Sequence, residues 1–238
     1  MLEKLVEYTH EEALLEGLLC APEDRAGPCP GVLILHAWAG RSAFECNRAR
    51  ALAARGYAAF AADLYGRGVL GSGPAENAAL MQPFLDDRAR LQGRLKVALA
   101  CFARQPGVDP RRIVAIGFCF GGLGALDMAR SGAAVQGVVS FHGLLDAPDN
   151  LPAPRSIRAK VLALHGHEDP LCPPEKVAAF AQEMTRAGAD WQLHAYGQTL
   201  HAFTNPEARQ PDTGNAYSET ADRRSWQSLL NFLEEVID

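Results

Sequence analysis

The six residues Gly117-Phe118-Cys119-Phe120-Gly121-Gly122 follow an apolar run, Ile113–Ile116, and lead into Leu123-Gly124-Ala125-Leu126-Asp127-Met128-Ala129. A strand that turns straight into a helix, with glycines two residues either side of one reactive side chain, is a nucleophile elbow with cysteine in the nucleophile's place. The turn leaves no room for side chains at the flanking positions, and it holds the nucleophile in a strained backbone conformation at the tip. The sulfur then sits at a helix N-terminus, where the dipole favours thiolate. The Phe120 amide points to where an oxyanion would form. A cysteine without this setting is usually an inert packing residue. The setting makes Cys119 the candidate nucleophile.

Around the elbow, short apolar runs alternate with longer amphipathic ones. Strands are expected at 31–36, 57–62, 113–117, 135–141, 160–165 and 191–196. Helices are expected at 44–55, 75–104, 122–131, 174–187 and 216–236. Residues 2–20 alternate more strictly and read as an antiparallel edge. Strand–helix alternation implies crossover units and a mostly parallel sheet flanked by helices on both faces. The Pro-rich stretch 146–154 has strands of the same kind on both sides, so it reads as a surface loop. The expectation is one α/β domain over residues 1–238.

With 23 Lys+Arg against 28 Asp+Glu the net charge is −5, which argues against a nucleic-acid or anionic-membrane partner. No apolar run approaches the ~20 residues of a spanning helix. The start, Met1-Leu2-Glu3-Lys4-Leu5-Val6, lacks the pattern of an export signal. A cytoplasmic chain, monomeric or a small homo-oligomer, is expected. The six cysteines, at 20, 29, 46, 101, 119 and 172, form no C-x-x-C pair and are expected to be reduced.

A thiol nucleophile needs a base, and the base an orienting acid, in the chain order nucleophile, acid, histidine. Asp169 lies in His165-Gly166-His167-Glu168-Asp169-Pro170, just past a strand end. His201 lies in the loop after the last strand. Two other patterns compete. His165-x-His167-x-Asp169 is formally metal-like, but no further cluster completes a ligand set, so no metal is expected. Gly66-Arg67-Gly68-Val69-Leu70-Gly71 is formally G-x-G-x-x-G, but Ser72-Gly73-Pro74 prolongs the loop where a dinucleotide site needs a helix, so it reads as a loop and no organic cofactor is expected.

Six segments together resemble the dienelactone hydrolases of the α/β-hydrolase superfamily. They are 30–36, 62–66, the elbow, Ser140-Phe141-His142-Gly143, 164–170 and His201-Ala202-Phe203-Thr204-Asn205-Pro206. The resemblance implies an α/β-hydrolase fold and a Cys119–His201–Asp169 triad. It also implies an oxyanion hole from the amides of Phe120 and Trp38. Two positions depart from the family pattern. Relatives carry Glu where this chain has Ala37, with Glu45 and His36 nearby as candidates to replace it. The dienelactone-specific enzymes hold a substrate carboxylate with a Ser and an Arg, where this chain has Ala202 and Asn205. His142, Arg88 and Phe203 are the candidate substrate contacts.

The sequence therefore reads as a cysteine-dependent hydrolase of an ester or lactone. The alternatives are a thioesterase or short-chain carboxylesterase on the same triad, and, from another class, a binding or redox-sensing module acting through Cys119.

Overall fold

The structure, a computed structural model, describes residues 1–23 and 27–238. The central strand β3 (Cys29–Leu35) is buried at all seven residues, as a strand covered on both faces must be. Alternate side chains feed two cores: Leu33 and Leu35 join one, Val32 and Ile34 the other, following the two-residue period of a strand.

Strands β4 (Ala58–Ala62), β5 (Val108–Phe118), β6 (Gly137–Phe141), β7 (Lys160–Gly166) and β8 (Trp191–Tyr196) pair in parallel with β3 or with one another. The hairpin β1 (Leu2–His10) and β2 (Ala13–Ala21) adds antiparallel to β4, in the sheet order β1-β2-β4-β3-β5-β6-β7-β8. This is the architecture expected from the sequence.

Helices α2 (Pro74–Asp86), α3 (Arg88–Ala103), α4 (Phe120–Arg130) and α5 (Pro174–Arg186) contribute to one core. Helices α1 (Ala43–Ala53) and α6 (Glu219–Ile237) contribute to the other.

The helix expected over 75–104 is two. Asp87, at φ −126 and ψ 85, ends α2, and its side chain accepts from the Arg90 amide at 2.9 Å to start α3. That is the ordinary preference of Asp for an N-cap over a helix interior. The last helix begins at Glu219, three residues later than expected, because Ser218 caps it. A small ladder unannounced by any apolar pattern, β9 (Arg209–Gln210) with β10 (Asn215–Ala216), lies just after His201. No helix among the described residues is long and apolar enough to cross a membrane.

Candidate active site

At the end of β5 the chain reverses into α4 through Cys119, at φ 54 and ψ −114. A Cβ on Gly117 would collide with the Gly121 carbonyl, and one on Gly121 with the Leu35 carbonyl. The glycines are thus required by close backbone approach. The turn is locked by its main chain: the Cys119 amide donates to Phe141 at 3.0 Å, and the Cys119 carbonyl accepts from Gly122 and Leu123.

Asp169 lies three residues beyond β7, its amide turned back onto the Gly166 carbonyl at 3.0 Å. One carboxylate oxygen accepts from the Leu171 amide at 2.8 Å. The other is 2.6 Å from Nδ1 of His201. An ionised carboxylate only accepts, so Nδ1 carries the proton. The loop bearing His201 is fastened to the small ladder: its amide donates to Gly214 and its carbonyl accepts from Ala216. Both Asp169 and His201 are buried. Among the described residues Nε2 of His201 is buried with no oxygen or nitrogen hydrogen-bonded to it, and the group that acts on it is the Cys119 thiol. Burial opposes charge on this ring, yet Cys119 and Asp169 outweigh it, and the pKa is raised to about 10.

Cys119 and His201 both line a cavity of about 470 Å³, whose walls include Trp38, Phe118, Phe120, Leu144 and Leu171, while Asp169 is buried off the wall, bonded to His201. Trp38 and Phe120, the two residues expected to supply oxyanion-hole amides, both line the cavity. So do Ala202 and Asn205.

His142 follows β6 at φ 38, bonds Thr204 Oγ1 through Nε2 at 2.8 Å, and presents its ring edgewise to His201 at 5.1 Å. Burial, with the charge on His201 adding to it, holds His142 well below the usual imidazole range, so it stays neutral.

Two expected substrate contacts lie elsewhere. Arg88 is not on the cavity wall. It grips Asp127 with both Nε (2.7 Å) and Nη2 (2.6 Å) inside the protein, because a buried guanidinium needs a carboxylate. Phe203 is fully buried behind the wall, edge-on to His142 at 5.1 Å and packed with Tyr196. It supports His142 and does not reach the cavity.

Glu45 brings a carboxylate to the backbone of Ala37. Its Oε1 accepts from the Ala37 amide at 3.1 Å, and its Oε2 accepts from the Ser42 amide and hydroxyl at 2.9 and 2.7 Å. Ser42 and Glu45 form the capping box that opens α1. His36 is committed elsewhere: Nε2 accepts from the Leu64 amide, so Nδ1 donates to the Ala37 carbonyl. The 66–71 segment is a loop, tied to the wall by Gly71 donating to Ala39 at 3.0 Å. Lys176 and Leu171, which no motif marked, also line the cavity, as does Thr204 from the His201 segment.

The profile of the dienelactone hydrolase family matches residues 15–237. The chain belongs to the dienelactone hydrolase family. Among solved structures it is similar to m3DLH, at 39% identity, covering 99% of this chain and 98% of that one, with a TM-score of 0.94. It is also similar to a dienelactone hydrolase-like promiscuous phosphotriesterase from metagenomic libraries, at 35% identity, covering 100% and 99%, with a TM-score of 0.93. A Saccharolobus solfataricus protein, provisionally named a carboxymethylenebutenolidase, is 25% identical, covering 99% of each chain. This dienelactone hydrolase family member has the α/β-hydrolase fold of its solved neighbours. It is a hydrolase of the kind that acts on esters and lactones.

Proposed function

We propose that the chain cleaves an ester or lactone through a Cys119–His201–Asp169 triad. The observation that carries this reading is the buried 2.6 Å Asp169–His201 bond, which leaves Nε2 of the ring with no oxygen or nitrogen partner among the described residues, in a cavity shared with Cys119. His201 takes the thiol proton, and Asp169 stabilises the imidazolium. The thiolate attacks the carbonyl carbon, forming a C–S bond as the carbonyl electron pair moves to oxygen. That oxyanion lies against the Phe120 and Trp38 amides. Collapse expels the alkoxide, which takes the proton from Nε2. Water, deprotonated by His201, then attacks the thioester and releases the acid and the thiolate.

A thioesterase or a carboxylesterase would use the same steps with another leaving group. The similarity to a phosphotriesterase adds a phosphotriester to the substrates worth offering. A redox-sensing module would need neither Asp169 nor His201 in these positions. The test is a panel of lactones, short esters, a thioester and a phosphotriester with wild type and Cys119→Ala. The variant is expected to lose on the order of 10⁴-fold or more in turnover while keeping its fold. Near wild-type turnover by a folded Cys119→Ala would refute the assignment.

A further inference from the structure

Beside the catalytic cavity lies a second, larger one of about 680 Å³. Leu145, Leu151, Phe180 and prolines 148, 152 and 154 give it an apolar wall, and charged residues, Lys96, Glu175 and Arg186 among them, also line it. Lys176 lines both cavities. Two consecutive residues divide likewise, Leu144 lining the catalytic cavity and Leu145 the second.

The strip of backbone between the cavities is fixed. Arg130 donates to the carbonyls of Leu145 (2.8 Å) and Asp146 (3.1 Å), and its guanidinium is held in turn by Glu183. What stands above the strip is not fixed in this way. Lys176 Nζ bonds Asp146 Oδ2 at 2.9 Å, with the two side chains 40% and 41% exposed. Water solvates both ions at such exposure, so an ion pair of this kind contributes little and parts readily.

We propose that the second cavity is a subsite for the far end of a long, neutral ester, whose alkyl chain crosses the Gly143–Asp146 strip where Lys176 and Asp146 part. Apolar walls suit methylenes. The paired charges at the crossing sum to zero, which suits a chain without charge. The inference rests on Cys119 as the reacting residue, so its test reads binding and not turnover.

On Cys119→Ala, methyl decanoate and methyl butanoate are titrated by tryptophan fluorescence, Trp38 being in the catalytic cavity wall. A fully buried methylene is worth about fourfold in affinity. Six more of them, partly buried, should make the decanoate at least ~20-fold tighter. Exposed Ala179 and Ala147 both line the second cavity. In the Ala179→Trp background that ratio should fall to about threefold or less, since the indole fills the space. Ala147→Trp, on the segment after β6 and not on α5, serves if the first variant does not fold. Absence of a length preference, or a preference untouched by either tryptophan, overturns the subsite. Lack of turnover in the wild type would instead overturn the triad and leave this binding result standing.

Discussion

Nδ1 of His201 donates to Asp169 while Cys119 acts on the same ring, so the imidazole sits between two groups that each favour its proton. An unfolded histidine titrates near ~6.5, and the folded ring is raised to about 10. The sign follows from linkage: the folded state holds the proton more tightly, so this contribution to stability is complete below ~6.5 and lost as pH climbs toward the folded value. Removing the sulfur removes one favourable cause. In Cys119→Ala the ring, followed by NMR, is expected to titrate at least about one pH unit lower. An unchanged titration would show that Asp169 alone sets it. Ala202 and Asn205 line the cavity with no charge, and the Lys176 ammonium there has the Asp146 carboxylate beside it, so the two add no net charge. Neutral esters or lactones are therefore expected to react at least as fast as the free-acid dienelactone. A preference of about a hundredfold for the acid, equal to roughly two charge-assisted bonds, would contradict this. The elbow glycines made Cys119 readable because backbone crowding leaves a one-letter trace. Lys176 left none, since it reaches the cavity only through the packing of α5 against distant segments.

Among the elements, α4 carries more than the proposed nucleophile at its N-terminus. Its Asp127 is fully buried and takes both Arg88 from α3 and Arg130 from its own helix, while Arg130 reaches Glu183 on α5. Four charges thus join three helices and the loop after β6. Breaking a buried set by removing one charge costs about 3–5 kcal/mol, because the partner is left uncompensated. Asp127→Asn is expected to lose stability of that size in urea unfolding; a loss below about 1 kcal/mol would mean that the arginines find other partners. The elements themselves were legible from periodicity, since strands buried on both faces read as unbroken apolar runs. The break at Asp87 was hidden because apolar residues keep helical spacing on both sides of it. The two-residue strands beside His201 are too short to show any period.

Across the whole molecule one eight-stranded sheet runs from the N-terminal hairpin to β8. Buried Arg94 helps fasten the hairpin, donating to His10 Nδ1 at 2.9 Å and to the Leu64 carbonyl at 2.7 Å. Within this framework Cys119 is one of five non-glycine residues held at positive φ among the described residues, at φ 54. A residue with a Cβ in such a conformation costs of order 1–3 kcal/mol, which glycine largely avoids. Selection for stability alone would put glycine at the tip of the turn; selection for chemistry excludes it. Cys119→Gly and Cys119→Ala both lack the sulfur, so their difference isolates the backbone. The glycine variant is expected to be more stable by about 1 kcal/mol, a rise of roughly 2–4 °C in Tm, and an equal or lower Tm would argue against stored strain. On this account the proposed nucleophile is a standing debit against the fold, and a descendant that no longer needed such chemistry would drift toward glycine there first.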